Sequence, residues 1–309
     1  MAFFIVLVCL IVLLLVLCFC IAVYFFKTVC VRKKHYIKIP VGVRNNTDEL
    51  RRNIKAGIDW FCAQPYRDIS ILSADGLLLC GKYLSYKGSK KTAICVHSYT
   101  SDGLRDFGRV SRILYESGFN VLIYDQRSCG ASEGRYITFG IKERYDCLLW
   151  IKKAIEVCPD AEIHLLGVSM GATTALLALG LEGLRENVRG VVADCGYISP
   201  YQEFRYILRT RYRIPPFPVL WFADMICRVK AGFSLREATT LRAVSGTSVP
   251  VFFAHGLKDK FVLPEASEKN YEACSSVKAL FLVDGAGHFN SFSTDTDLYI
   301  KKVKEFFSF

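Results

Sequence analysis

The sequence has no Cys-x-x-Cys pair, no cysteine and histidine at metal-ligand spacing, and no zinc-finger or RNP-like stretch. A structural zinc module and the common nucleic-acid readers are therefore not expected. An internal repeat and a low-complexity segment are also missing, and with 52% hydrophobic residues the chain reads as a packed protein rather than a disordered one. Its charge is short of acid: 40 Lys and Arg stand against 29 Asp and Glu, a net +11. Such an excess could favour nucleic acid, anionic lipid or acidic ligands. Here it is spread along the chain, with clusters only at 32–38 and 205–213, so no nucleic-acid partner is expected. The thirteen cysteines do not form a disulfide framework. They are scattered and odd in number, and Cys9, Cys18, Cys20 and Cys95 sit inside apolar runs, where a free thiol behaves as a small hydrophobe. Buried thiols in a reducing environment are expected, with neither a metal nor an organic cofactor.

What the 309 residues do contain begins with "FFIVLVCLIVLLLVLCFCIAVYFF", residues 3–26, which carry no charge. A helix of this length crosses a hydrocarbon core of about 30 Å. A cleaved signal peptide fits worse, because a basic leader and an A-x-A site are both missing and the run is too long. A single-pass membrane anchor is expected. Lys27, Arg32, Lys33, Lys34 and Lys38 follow it, and the positive-inside rule then favours a cytoplasmic domain. The sequon Asn45-Asn46-Thr47 reads as a chance match. "NTDELRRNIKAGIDWFCAQP" predicts a lead-in helix, capped by Thr47, with Asp48 and Glu49 in its first turn. Leu50, Ile54, Ile58 and Phe61 recur at helical spacing, and the helix ends before Pro65.

From residue 68 the pattern changes. "DISILSADG" and "LLLCGKYLSY" predict a strand pair turning at Asp75-Gly76. "TAICVHS", "NVLIYDQ", "EIHLLGVS", "VRGVVADCG", "VPVFFAHG" and "KALFLVDGAG" add six apolar strands, alternating with helices near 104–116, 140–157, 170–181, 264–274 and 295–308. Near-continuous apolar strands between helices imply an α/β fold, a mostly parallel eight-stranded sheet covered on both faces. The predicted division is an anchor over 1–27, a basic juxtamembrane segment with the lead-in helix over 28–67, and the main domain over 68–309. Residues 198–245, too long for an ordinary crossover, read as an inserted helical cap.

"HLLGVSMGATT", residues 164–174, pins Ser169 between Gly167 and Gly171 where a strand becomes a helix. A G-x-S-x-G turn of this kind is a nucleophile elbow: neighbouring side chains would clash, and the serine hydroxyl projects above the sheet. A serine attacks poorly at neutral pH and needs a histidine base held by a carboxylate. The elbow requires the order Ser, Asp or Glu, His, each just after a strand. Asp259 in "VFFAHGLKDKFV" and His288 in "LFLVDGAGHFNS" stand in that order. His97 comes too early in the chain and His255 precedes the acid, so neither is the base; Asp284 is the reserve acid. The backbone N–H groups of Met170 and Tyr99 are the expected oxyanion-hole donors.

These segments, with "VHSYTSDG", "YDQRSCGASEG" and "FGIKERYDCLLWI", resemble the α/β-hydrolases over nearly everything after residue 60. The closer similarity is to bacterial membrane-anchored or exported hydrolases related to S9-type and S33-type serine peptidases and acyl esterases. The resemblance implies that His97, Asp125 and Arg127, with Gly130 and Ser132, brace the site without doing chemistry. The chain departs from the pattern at Ser98 and Ser128, both of which tend to be glycine in the relatives.

The expected function is a membrane-anchored serine hydrolase that cleaves carboxylic esters through an acyl-enzyme. Its partners would be a small-molecule or lipid-like ester and, through residues 3–26, a membrane. The same machinery would serve a serine peptidase, a thioesterase or an acyltransferase. No propeller-sized segment precedes the domain, which weakens an oligopeptidase, and a dehalogenase would carry aspartate at 169. A non-catalytic binding module would be expected to have lost part of the triad. Within 198–245, Arg205, Arg209, Arg211 and Arg213 are expected near anionic headgroups. Phe217, Val219, Leu220, Trp221, Phe222, Met225 and Ile226 are expected to line an acyl pocket.

Overall fold

The computed structural model describes residues 1–32 and 48–308, with side chains from residue 51 onward in the second stretch. The Thr47 cap, the side chains of Asp48, Glu49 and Leu50, the sequon at Asn45, and Lys33, Lys34 and Lys38 lie outside the described residues.

The first helix, α1 (Ala2–Val29), is uncharged as far as Lys27, and every residue from Met1 to Leu17 is exposed. α2 (Asp48–Cys62) follows and packs along α3 (Gly103–Glu116). An eight-stranded sheet comes next. It contains β1 (Arg67–Leu72), β2 (Leu78–Leu84), β3 (Lys91–Val96), β4 (Asn120–Tyr124), β5 (Glu162–Val168), β6 (Val188–Asp194), β7 (Val251–Gly256) and β8 (Lys278–Val283). The spatial order is β1-β2-β4-β3-β5-β6-β7-β8; β1 and β2 run antiparallel as a hairpin, β2 is antiparallel to β4, and the other pairs are parallel. The expected α/β-hydrolase fold, with its eight strands, is the observed one.

One sheet face is covered by α4 (Glu143–Val157), α5 (Met170–Ala178), α8 (Thr240–Val244) and α9 (Glu265–Ala273), and it forms a single buried cluster around Trp150, Ile163, Leu165 and Phe253. The opposite face carries α2, α3, α10 (Ser291–Thr294) and α11 (Thr296–Phe307), and its core is divided into two clusters, one at Phe61 and Phe107, the other at Phe252 and Tyr299. Local signals set the ends of these helices: the Asp102 carboxylate accepts the Arg105 N–H at 2.9 Å, and Asp295 accepts that of Leu298 at 3.0 Å.

The interval between β6 and β7 holds α6 (Pro200–Thr210), α7 (Pro216–Ile226), a π-helical turn (Cys227–Ala231) and α8. Here the structure differs from the expectation of an acyl pocket. α7 packs against α1, burying Val219, Leu220 and Ala223 with Cys18, Ala22 and Phe26, while Phe19 meets Phe222 edge-on at 5.6 Å. Phe217, Trp221 and Met225 point outward, 78%, 50% and 40% exposed. A second apolar helix supplies a better partner for this segment than the substrate does, and sequence periodicity cannot see that partner.

Candidate active site

β5 gives way to α5 at Ser169, whose φ of 53° lies in the left-handed region. That conformation is strained for a residue with a side chain. The turn is tight enough that a β-carbon on Gly167 would run into the Gly171 carbonyl oxygen, and one on Gly171 into that of Val96. Glycine at both positions is therefore a steric requirement of the turn.

The structure brings the three expected residues together. Ser169 Oγ lies 3.0 Å from His288 Nε2, and His288 Nδ1 lies 2.6 Å from Asp259 Oδ2. His288 comes from the loop after β8 and Asp259 from the loop after β7. Asp259 is buried, and its Oδ1 accepts the N–H groups of Phe261 and Val262 at 2.8 and 3.0 Å. Burial alone would raise its pKa, but hydrogen bonds from His255 and His288 outweigh burial and hold the carboxyl down to about 2. An ionised Asp259 makes His288 Nδ1 the donor, which leaves Nε2 to accept the Ser169 proton.

His255 stands behind the acid and does not reach the serine. Its Nε2 donates toward Asp259 Oδ2 at 3.2 Å and the Val262 carbonyl at 3.0 Å, while Nδ1 faces Ser267 Oγ at 2.7 Å. Chain order offers His255 only as a candidate base; its place behind the acid comes from tertiary contact. Asp284, the reserve acid, is exposed and accepts the N–H of Gly285, away from the imidazole. Two further residues were missed. Asp194, ending β6, accepts the Ser291 hydroxyl at 2.8 Å beneath the site, and Glu203 on α6 holds a buried Oε1 with no partner among the described residues. An acid at the end of an apolar strand was the available signal for Asp194.

The loop after β3 is tied down from both sides. His97 is fully buried; its Nδ1 donates to the Ser98 carbonyl at 2.7 Å, and its Nε2 accepts the Gln126 N–H at 2.9 Å. Ser98, the departure from glycine, finds a use for its side chain: its N–H and hydroxyl both donate to Asp106 Oδ2 at 2.7 Å. The left-handed position in this loop is Thr100, φ 50°, two residues further on. Tyr99 donates its hydroxyl to the Val29 carbonyl of α1 at 2.7 Å. Among the described residues, the backbone N–H groups of Tyr99 and Met170 have no partner within the protein.

Asp125 accepts the N–H groups of Gly103 and Ala131 at 2.9 and 2.8 Å, joining the start of α3 to the loop after β4. Arg127 is buried between two acids, with Nε 2.6 Å from Asp146 and Nη1 2.8 Å from Asp75 at the hairpin turn. Neither acid could be paired with Arg127 from the sequence, because α4 and the hairpin meet it only through tertiary contact. Ser128, the second departure, does occupy a left-handed φ of 64°, and its hydroxyl donates to the Tyr136 carbonyl at 2.9 Å.

Cys195, Asp259 and His288 place one ligand atom each within 4.8 Å of one another. Burial pushes the Cys195 thiol well up, and Asp259 and His288 are already hydrogen-bonded to each other. A cavity of about 660 Å³ opens at Ser169 and His288.

The family model described as the alpha/beta hydrolase fold matches residues 94–217, from β3 into α7. The chain is 29% identical over 274 residues to the uncharacterized protein YqkD of Bacillus subtilis (strain 168), spanning 85% of this chain and 88% of that protein. Among solved structures, the Pyrococcus furiosus esterase Pf2001 is 27% identical with a TM-score of 0.64, covering 81% of this chain and 94% of that one. The esterase EaEST of Exiguobacterium antarcticum shares the fold at 17% identity and a TM-score of 0.58, over 78% of this chain and 99% of that one. Sheet order, elbow and these likenesses together define the α/β-hydrolase fold. The chain has that fold, and its structural neighbours include esterases.

Proposed function

We propose that the protein is a membrane-anchored serine hydrolase that cleaves carboxylic esters through an acyl-enzyme. The observation that carries this reading is the unbroken path Ser169–His288–Asp259, at 3.0 and 2.6 Å. His288 Nε2 takes the Ser169 proton as the oxygen attacks the ester carbonyl, and the N–H groups of Met170 and Tyr99 receive the developing oxyanion. His288 then gives the proton to the departing alcohol, and water releases the acid by the same route in reverse. Asp259 orients the imidazole and stabilises its cation. The reading calls on no metal or cofactor.

The anchor is part of the proposal, with the division into anchor, lead-in segment and hydrolase domain. α1 has a mean hydropathy of 3.7 over its best window. Its exposed stretch, 2–17, is about 24 Å of helix, shorter than a hydrocarbon core of about 30 Å. The domain would therefore sit against the bilayer, with the outward Phe217, Trp221 and Met225 of α7 in the interface beside α1.

Fluorophosphonate labelling of the full chain in detergent tests the chemistry. Ser169→Ala should abolish labelling and lower ester turnover by about 10⁴-fold or more. Equal labelling of both forms would mean another serine reacts. An unlabelled wild type, where a control esterase reacts, would turn the fold into a binding module.

A further inference from the structure

The sheet face under α3 and α11 has an anomaly on its central strand. Leu166 and Val168 of β5, flanked by β3 and β6, are only half-buried, although their strand neighbours Ile163 and Leu165 are fully buried. Both line the 660 Å³ cavity, which continues from Ser169 down between α3 and α11 and parts the two clusters of this face. Val110, Ile113 and Leu114 form one wall, and Ile300 and Val303 the other. The far end is closed by aromatic rings: His164 meets Phe119 at 5.7 Å and Phe307 at 5.1 Å. Burial pushes the His164 imidazole down to about 4, so this wall is uncharged at neutral pH.

We propose that this groove is the acyl-chain site, with the ester carbonyl at Ser169 and a linear chain lying along β5 between α3 and α11. The inference rests on Ser169 being the nucleophile. The groove is continuous with that serine; Leu166 and Val168 floor it and the aliphatic residues of α3 and α11 named above line its sides, with Arg109, Ser117 and Lys304 also in its lining. The lining along β5 is mainly apolar, which suits an alkyl chain that needs no hydrogen-bond partner better than a peptide backbone that needs one at every residue. From His164 to Ser169 is five strand residues, about 16 Å, room for an extended chain of roughly a dozen carbons at about 1.3 Å each. Among the described residues, none of α7 lines this groove.

The test uses two plugs at different depths in the full chain. Val303→Trp lies about two turns into α11, and Ser117→Trp stands at the foot of α3, about 21 Å from its start. Turnover of p-nitrophenyl esters from acetate to palmitate should show a wild-type preference near octanoate to dodecanoate. Val303→Trp should lower the dodecanoate-to-butyrate ratio of kcat/KM at least about tenfold, and Ser117→Trp should cut back only the longest chains. An order of depth of this kind cannot come from loss of folding. Binding of radiolabelled dodecanoic acid to Ser169→Ala protein reads the groove without turnover. Binding should persist in that variant and be lost when Val303→Trp is added. A Ser169→Ala protein that binds no fatty acid, binding that survives the plug, or equal loss at every chain length with binding intact would overturn the groove. A wild type that binds the acid yet turns over no ester would overturn the esterase reading and leave the groove standing.

Discussion

Leu165 and Leu166 are adjacent on the same central strand and live in different environments. Leu165 points into the face covered by α4, α5, α8 and α9, where it is fully buried in one continuous cluster. Leu166 points to the face of α3 and α11, where it sits half-buried at the junction of two clusters. Identical residues on one strand thus separate what packing demands from what a site demands: the first face is filled as a core is, and the second keeps a cleft open to the nucleophile.

The largest effect expected is at Leu165. Truncation to alanine removes its transfer energy and leaves a cavity between close-packed neighbours, so Leu165→Ala should cost about 3–5 kcal/mol, read as a lower urea midpoint at unchanged slope. A loss below about 1 kcal/mol would mean that this face relaxes as easily as the open one.

The contrast between the faces was only half legible in the sequence. "EIHLLGVS" announces a buried strand, and the alternation after residue 68 gives the sheet its covered faces, because the strands from β3 onward are mostly apolar and helices such as α3 and α11 are periodic. Ser169, Asp259 and His288 were legible because chain order and strand ends constrain them tightly. What could not be read is set by contacts between distant segments: the support of Asp259 by His255, the pairing of Arg127 with Asp146 and Asp75, and the removal of the α7 apolar face by α1. An apolar helix face shows that something covers it and does not show what. Likewise, a half-empty strand face looks the same in sequence as a full one.

Acid sets a limit on where the comparison can be measured. The Asp259 carboxyl is held at about 2, against 3.8 ordinarily. Its folded value is depressed, so its contribution is fully present above about pH 4 and is lost as pH falls through about 2; over that window the loss should come to about 2 kcal/mol. A fluorescence-monitored acid titration of wild type and Asp259→Asn checks it, and the variant should show a flatter acid limb.

Glu203 gives the alkaline counterpart. Burial pushes its carboxyl up to about 8, with the charge of Asp259 adding to the effect. Because the folded value is raised for an acid, the protein is more stable where Glu203 stays protonated and loses that margin as pH climbs from about 4.5 through 8. Glu203→Gln removes the penalty and should gain on the order of 1 kcal/mol at pH 8 with little change near pH 5. Thermal melts at the two pH values test this, and a gain of equal size at both would point to packing rather than charge.

The smallest effect should be at Leu166. Its side chain already faces the open groove, so truncation takes little apolar area out of contact and creates no closed cavity. Leu166→Ala should therefore cost about 1 kcal/mol or less, several-fold below its neighbour at Leu165. Its functional effect should exceed its structural one: with the floor of the groove lowered, branched or bulkier acyl chains gain relative to linear ones, and urea unfolding beside a panel of linear and branched esters reads both at once. If Leu166→Ala proved as costly as Leu165→Ala, the α3 and α11 face would be a filled core in solution. The difference between the two faces would then be lost, and with it the room for a chain along β5.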